Sequence, residues 1–190
     1  MKKTKTENSK TIKRTLDMVY IAMFAVIIAV SSWISIPFTV PFTMQTFGIF
    51  CALGLLGGKR GTISILVYII LGLIGVPVFA GFSGGAGVLF GTTGGYIIGF
   101  ILSGLIYWLI TTLMGKKTFS IILAMVLGLI VCYAFGTFWF MRVYAKNTGA
   151  IGVMSALGFC VFPFILPDIL KIALAVVITK TVPKYVKIFN

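Results

Sequence analysis

One close pair of opposite charges lies inside an otherwise apolar stretch of the sequence. Asp168 and Lys171 stand three residues apart in the run PDILK at 167–171, so on a helix they share one face. An ionised side chain in the middle of a bilayer costs about 2.5–3.5 kcal/mol, and such groups face a cavity or a partner. The pair therefore predicts a polar ligand site. The alternative is a structural ion pair, with Asp168 complementing the dipole at a helix start.

A dense group of glycines marks a second candidate for ligand contact. Eight of the 22 glycines lie within residues 81–99, among them Gly84 and Gly85. Glycine permits positive φ and lets the backbone approach a ligand closely, so this segment is predicted to line a pocket or form its lid. The alternative is a turn with tight helix packing. The phosphate-binding pattern GxxxxGK[ST] does not occur in the segment.

Several neutral polar side chains adjoin these features. Gln45 and Thr46 begin a short apolar run, and Tyr96 directly follows the glycines. Each can be an interhelical hydrogen-bonding group or a side chain that faces the same cavity as the charge pair. Ser83 and the threonines at 92–93 are weaker candidates of the same kind.

The usual catalytic and metal-binding residues are scarce. The sequence has no histidine, and histidine is the commonest general base and metal ligand. Its only acids are Glu7, Asp17 and Asp168, and its three cysteines lie in apolar runs without CxxC spacing, which favours a packing role for them. We therefore predict no enzyme, no metal site and no cofactor.

The amino-acid composition indicates that the chain folds in a lipid bilayer and not in water. Hydrophobic residues make up 59% of the chain and charged residues 10%, against about 45–50% and about 25% in soluble domains. Such a chain cannot cover its surface with polar groups, but an apolar exterior is stable in lipid. Because apolar character persists to residue 182 and no cleavage site follows the first run, that run is predicted to be a span and not a signal peptide.

Six apolar runs predict an all-α membrane protein with six transmembrane helices. They cover residues 16–36, 42–56, 62–79, 94–114, 119–141 and 167–182. The second run reaches only about 22 Å as a helix, short of the ~30 Å hydrocarbon core. Residues 37–41 are predicted to fill the remaining depth as non-helical backbone, which is tolerated only inside protein or along a cavity. A mixed segment at 144–166 is predicted to hold a short helix.

The distribution of basic residues predicts the orientation. The net charge is +13, and with six spans every lysine and arginine except Arg142, Lys146 and Lys171 falls on the side of the N-terminus. By the positive-inside rule both termini are then cytoplasmic, and no nucleic-acid partner is predicted. Disorder is expected up to residue 13. The predicted domains are a basic tail at 1–15, one transmembrane domain at 16–183 and a basic C-terminus at 184–190.

The first predicted span carries small residues at helical spacing, namely Ala22, Ala25 and Ala29. Small residues let helices approach one another closely in lipid. The stripe therefore predicts either a contact surface for another membrane protein or ordinary packing within the chain.

Five short motifs follow one another along the chain: TMQTFG at 43–48, LLGGKRG at 55–61, GVPVFAG at 75–81, GTTGGYIIGF at 91–100 and PFILPDILK at 163–171. Together they resemble the BioY family, the biotin-specific substrate-binding (S) components of energy-coupling factor (ECF) transporters. The resemblance implies the ECF S-component fold, a biotin pocket open to the outside and a location in the bacterial cell membrane. It also implies an EcfT-type coupling protein and two ABC-type ATPases as partners, which bind the ATP. The alanine stripe matches the surface that the family presents to the coupling protein.

The resemblance further implies roles for individual residues. It assigns Asp168 to the N–H donors of the biotin ureido ring, and Lys171 either to the valerate carboxylate or to the ureido oxygen. The implied ligand-binding set is Asp168, Lys171, Tyr96, Ser83, Gln45, Gly84, Gly85, Phe82, Phe79 and Leu89. Some family members carry Asn where Ser83 stands and Arg where Ile97 stands, which leaves more of the carboxylate recognition to Lys171 or to backbone N–H groups. The alternatives are an S component for another small vitamin and a biotin transporter that acts alone.

Overall fold

The structure is a computed structural model that describes residues 2–147 and 149–185. Its helices are α1 (Lys2–Trp33), α2 (Gln45–Leu56), α3 (Gly58–Leu73), α4 (Ala86–Phe90), α5 (Gly94–Met114), α6 (Thr118–Asn147), α7 (Val153–Cys160) and α8 (Phe162–Tyr185). Between α1 and α2, the strands β1 (Ser35–Ile36) and β2 (Phe42–Thr43) pair antiparallel, with Ser35 opposite Thr43. A short 3₁₀ turn, Ala80–Phe82, precedes α4. The predominantly helical fold class is confirmed.

In the described part of the chain, four helices are long and apolar enough to cross a membrane. The spanning stretches are Lys10–Trp33, Gly94–Met114, Thr118–Lys146 and Phe162–Lys184, in α1, α5, α6 and α8. The other two predicted spans are shorter helices: α2 has 12 residues and α3 has 16. At 1.5 Å per residue they reach about 18 Å and about 24 Å, so neither covers the full hydrocarbon layer as a helix.

Two helices, α3 and α8, begin and end at other residues than the sequence predicts. α3 begins at Gly58 and ends at Leu73, short of residue 79, because Gly75 turns the chain with a φ of 100°. α8 begins at Phe162 and contains Pro167, whereas the sequence predicts a span that begins at residue 167. The N–H of Phe164 already donates to the carbonyl of Val161 at 2.9 Å, so helical bonding starts before the proline.

The basic N-terminal tail is helical in the structure, whereas disorder was predicted for it. α1 begins at Lys2 and runs without a break into the first span. The physical reason is cooperativity: once the span provides a helix nucleus, each added residue gains one hydrogen bond without a new nucleation cost. Of the predicted C-terminal segment 184–190, residues 186–190 lie outside the described part of the chain.

The helices pack as one bundle in which α3 lies between α1 and α5, α5 packs along α6, and α8 packs against α2. Glycines allow the close approach of α5 and α6. A Cβ at Gly95 would overlap Trp139, and one at Gly136 would overlap the ring of Tyr96. Part of the glycine-rich segment therefore serves tight helix packing, which was the alternative interpretation. Gly85 is different, since its φ of 92° is a conformation that favours glycine.

The bundle has two chemically different ends. At one end, Asp17 of α1, residues 57–60 at the α2–α3 junction and Lys116 after α5 line a common cavity. Thr179, near the end of α8, lies against Gly54 beside the same junction. We call this the basic end. Most of the lysines and arginines lie near those helix ends that meet here, among them Lys59, Arg60 and Lys116.

The opposite end, called here the covered end, is closed by non-helical segments and short helices. They are the β1–β2 hairpin, residues 74–93 and α7. Hydrogen bonds attach residues 74–93 to the long helices: the Trp33 indole N–H donates to the carbonyl of Pro77 at 2.9 Å, and that of Trp139 to the carbonyl of Gly91 at 3.0 Å. The covered end is therefore built by segments distant in sequence.

Candidate ligand-binding site

Asp168 and Lys171 form a buried ion pair on α8. Only 2% of Asp168 and 4% of Lys171 are exposed, and Lys171 Nζ lies 2.8 Å from Asp168 Oδ1. Burying two charges is costly unless their remaining hydrogen-bonding capacity is also satisfied. The site meets this condition with groups from three other elements.

Each oxygen of Asp168 has further partners. The Thr46 hydroxyl at the start of α2 donates to Oδ1 at 2.9 Å, and the Tyr133 phenol on α6 donates to Oδ2. Hydrogen bonds to the charged form of a carboxylate stabilise that form. Three donors from three helices therefore hold Asp168 in place.

The Lys171 ammonium is also fully engaged. Besides Asp168, it donates to the carbonyl of Thr43 at 2.7 Å and to the hydroxyl of Thr46 at 3.1 Å, which accounts for its three N–H donors. It also lies 4.3 Å from the centroid of the Phe42 ring, within the range of a cation–π interaction. The β1–β2 hairpin therefore positions two of the groups that hold the cation.

A cavity of about 150 Å³ at the covered end contains this pair. A buried water needs about 10–15 Å³ measured in the same way, so the cavity has room for a small organic molecule. Six of the residues that the sequence predicted to bind ligand line it: Asp168, Lys171, Tyr96, Ser83, Gln45 and Phe79. Ile97 and Phe100 of α5 and Phe164 of α8 add apolar surface, so the lining combines one charge pair with mostly apolar walls.

The neutral polar groups of the lining have partners within the chain. The Gln45 amide donates to the Tyr68 hydroxyl at 2.8 Å, and the Ser83 hydroxyl donates to the carbonyl of Ala80 at 2.7 Å. The hydroxyls of Tyr96 and Thr137 lie 2.9 Å apart. These contacts orient the side chains around the cavity.

The other four predicted contacts lie in the segment over the cavity and do not line it. Phe82 is 64% exposed and its ring stacks on Trp33, with centroids 5.0 Å apart. Leu89 is buried in α4. The N–H of Gly85 donates to the carbonyl of Gly72 at 2.6 Å, and a Cβ at Gly84 would overlap the carbonyl of Val76. Phe82 and Gly85 thereby fasten residues 74–93 to α1 and α3.

The alanine stripe of α1 points mainly into the protein. Ala25 is 1% exposed and Ala29 is 5% exposed, while Ala22 is exposed. The burial of Ala25 and Ala29 favours the interpretation as packing within the chain, in which α2 and α3 pack against α1. Of the stripe, only Ala22 remains accessible to another protein.

Tyr133 was missed by the sequence reasoning, although it binds Asp168 directly. It lies within a long apolar run and belongs to none of the five motifs. The hydrogen bond joins residues 35 positions apart, and neither helical spacing nor a motif connects them. A polar side chain in the middle of a predicted span was the available signal, since such groups in lipid need a partner.

The fold and the site define a multi-pass helical membrane protein that encloses a small-molecule cavity around a buried charge pair. A family model described as the BioY family matches residues 2–188, and the chain belongs to that family. The resemblance inferred from the five motifs is thereby confirmed.

Relatives support this assignment along nearly the whole chain. The chain is 38% identical to the biotin transporter BioY of Thermotoga maritima over 170 residues, which cover 88% of this chain and 96% of that protein. It is 42% identical to the probable biotin transporter BioY of Pyrococcus horikoshii over 161 residues, which cover 84% and 91%. A solved structure described as the S-component for biotin from an ECF-type ABC transporter matches with a TM-score of 0.79 at 30% identity, covering 94% of this chain and 95% of that one. The family is therefore one of transporters.

Proposed function

We propose that this protein is the biotin-binding S component of an ECF-type ABC vitamin uptake transporter, and that it captures biotin at the covered end. The main observation behind the proposal is the buried Asp168–Lys171 ion pair in a mostly apolar cavity. Biotin matches this cavity because it has a polar ureido ring at one end and an apolar thiophane ring and chain beyond it. The names of the relatives and of the matching solved structure support the same ligand.

The closeness of the two charges favours one part of biotin as their target. Lys171 Nζ and Asp168 Oδ1 are 2.8 Å apart, so both reach the same few atoms of a ligand. The ureido ring offers N–H donors and a carbonyl acceptor side by side, whereas the valerate carboxylate lies at the far end of the chain. Asp168 then accepts from a ureido N–H, and Lys171 donates to the ureido oxygen.

Binding under this proposal is an exchange of hydrogen bonds. Asp168 is bonded within the chain to Thr46, Tyr133 and Lys171, so a ligand N–H displaces or joins one of these donors. A buried group left without a partner costs about 1–3 kcal/mol. The internal partners avoid this cost when the site is empty, and the ligand avoids it when the site is filled.

The remaining predicted residues divide into two groups. Tyr96, Ser83, Gln45 and Phe79 contact the ligand from the cavity wall. Gly84, Gly85, Phe82 and Leu89 belong to the segment that covers the cavity, and we assign them to its closure. Apolar walls such as Phe79 bury the thiophane ring and the tail, because ligand pockets are mainly apolar with a few orienting polar groups.

The proposed topology has six membrane crossings and both termini in the cytoplasm, around one domain at 16–183 with basic segments at 1–15 and 184–190. The meeting of basic residues at one end of the bundle supports it, since such residues favour the cytoplasmic side. The short helices α2 and α3 complete their crossings with the hairpin and with residues 74–93. Non-helical backbone at that depth is tolerated because it lines the cavity.

The proposed partners are an EcfT-type coupling protein and two ABC-type ATPases. The sequence contains no phosphate-loop motif, so ATP is bound by the partners, and this chain needs no cofactor. Ala22 is the member of the α1 stripe that a coupling protein can contact. The alternatives are an S component for another small vitamin and a biotin transporter that acts alone.

Binding of radiolabelled biotin by the purified full chain tests the proposal. We expect retention at micromolar biotin that unlabelled biotin displaces and that riboflavin and thiamine do not. No retention at that concentration would exclude the biotin assignment, and displacement by another vitamin would favour an S component for that vitamin. Biotin uptake by cells that express this chain without ECF partners would favour a transporter that acts alone.

A further inference from the structure

A second cavity, of about 430 Å³, lies at the basic end between α1, α3 and α5. Its lining carries three cations, Lys59, Arg60 and Lys116, against the single carboxylate of Asp17. Asp17 already pairs with Arg60 at 3.0 Å. The cavity thus keeps an excess of positive charge that the described residues do not neutralise.

The two lysines are available to an external anion. Lys59 and Lys116 are exposed, and neither has a carboxylate within ion-pair distance among the described residues. Lys116 reaches back across the α2–α3 junction, since a Cβ built on Gly57 would lie 3.5 Å from its Nζ. Two cations, one on α3 and one on the connection between α5 and α6, therefore line the same opening.

The backbone at this opening adds further donors. α3 begins at Gly58, and the first helical hydrogen bond of its main chain is from the N–H of Gly61 to the carbonyl of Gly57 at 2.9 Å. The N–H groups of residues 58–60 precede that bond and point out of the helix start, where partial positive charge favours an anion. The helix start acts here together with the lysine ammonium groups.

The surface below the cavity is apolar and continues along the same helices. On α3, Leu66, Ile70 and Leu73 are exposed at helical spacing beyond Lys59. On α5, Leu105 and Leu109 are exposed beside Trp108, which itself lines the cavity. A ligand for the whole surface has an anionic head and apolar chains.

We propose that this basic-end cavity binds the headgroup of an anionic phospholipid, with the acyl chains lying along α3 and α5. Charge complementarity selects the headgroup, and the apolar stripes distinguish a lipid from a free phosphate ion. In the proposed topology the cavity faces the cytoplasmic leaflet, whose anionic lipids attract basic residues near the membrane surface.

Native mass spectrometry of the full chain in detergent tests the proposal. The probes are phosphatidylglycerol and phosphatidylcholine with identical acyl chains, and glycerol 3-phosphate serves as a soluble anion. We expect the wild type to retain phosphatidylglycerol preferentially, and the double variant Lys59→Gln/Lys116→Gln to bind it about thirtyfold more weakly. Phosphatidylcholine binding stays unchanged, and glycerol 3-phosphate does not displace the bound lipid.

Lys117→Gln is the matched control, because Lys117 neighbours Lys116 and is exposed but does not line the cavity. At Lys59, the substituted lysine that lies within a helix, glutamine keeps the helix propensity of lysine. Each single variant is expected to show part of the loss should the double variant not fold. Biotin binding at the opposite end stays unchanged in all of them. Equal retention of both lipids by the wild type, an equal loss in Lys117→Gln, or displacement by glycerol 3-phosphate would overturn the proposal.

Discussion

Tyr133 on α6 donates a hydrogen bond to Oδ2 of Asp168 on α8 and so joins two helices inside the bundle. The same tyrosine also lines an apolar groove between α6, α7 and α8. It therefore forms part of the wall between the ligand cavity and a surface open to lipid. Because Asp168 is central to the proposed ligand recognition, this phenol occupies an acceptor position that a ligand N–H could otherwise use.

Asp168→Asn is expected to weaken biotin binding at least about 100-fold. The change removes the acceptor carboxylate and leaves the Lys171 ammonium buried without its counter-charge. Truncating one partner of a buried, hydrogen-bonded charge contact costs about 2–5 kcal/mol of binding free energy, and about 2.8 kcal/mol corresponds to a factor of about 100 in affinity. Isothermal titration calorimetry in detergent measures the effect.

Asp17→Asn serves as the control for Asp168→Asn, because Asp17 pairs with Arg60 at the basic end and should leave biotin affinity unchanged. Lys171→Ala is expected to weaken binding similarly. The double variant Asp168→Asn/Lys171→Gln removes both charges together, and thermal unfolding separates lost binding from lost folding. Wild-type affinity in both single variants would refute the site.

Tyr133→Phe is expected to tighten biotin binding by about threefold to tenfold and to lower the stability of the empty protein. The variant removes the hydroxyl that occupies Asp168 Oδ2, so a ligand N–H no longer has to displace it. A hydrogen bond contributes about 0.5–1.5 kcal/mol net, and more to a charged group. Calorimetry and thermal unfolding with and without biotin measure the two effects.

Tyr107→Phe is the comparison for Tyr133→Phe, since Tyr107 is buried in α5 and does not line the ligand cavity. It should leave the affinity unchanged. Weaker biotin binding in Tyr133→Phe would mean that the phenol orients the carboxylate for the ligand and does not compete with it.

The neutral amide of biotin is expected to bind the wild type nearly as well as biotin does. Lys171 is the single Lys or Arg among the described residues that line the cavity, and the proposal places it at the ureido ring. No cation then remains for the carboxylate at the far end of the tail. Competition against radiolabelled biotin compares the two ligands.

Ile97→Arg adds a second cation to the cavity wall and should create a preference for biotin over its amide. Ile101→Arg, which adds the same charge one helical turn further along α5 but outside the cavity lining, is the control. A strong preference of the wild type for the acid would instead assign Lys171 to the valerate carboxylate.

Gly95→Ala is expected to destabilise the protein by about 1–3 kcal/mol, the usual cost of overpacking a close contact. A methyl group there overlaps Trp139 across the α5–α6 interface, so the two helices have to separate. Thermal unfolding in detergent measures the change. Gly158→Ala is the control, because a Cβ at that position meets nothing within 4 Å; similar melting temperatures for both variants would contradict the role of Gly95.

Much of the fold was predictable from local properties of the sequence. Apolar runs of sufficient length identified α1, α5, α6 and α8, because a helix in lipid satisfies its own backbone and needs only an apolar exterior. The Asp168–Lys171 pair was predictable because two charges three residues apart in such a run share a helix face and need a polar environment. The five motifs identified the family.

The tertiary structure decided which side chains meet. In lipid, the buried and the exposed faces of a helix are both apolar, so hydrophobic periodicity does not separate them, as it does in water. The inward position of Ala25 and Ala29, and the contact of Tyr133 with Asp168, therefore followed only from the packing of α1 and α6 against their neighbours. The sequence by itself determined a membrane helix bundle with one buried charge pair. Long-range packing alone supplied the partners that satisfy the hydrogen-bonding capacity of this pair.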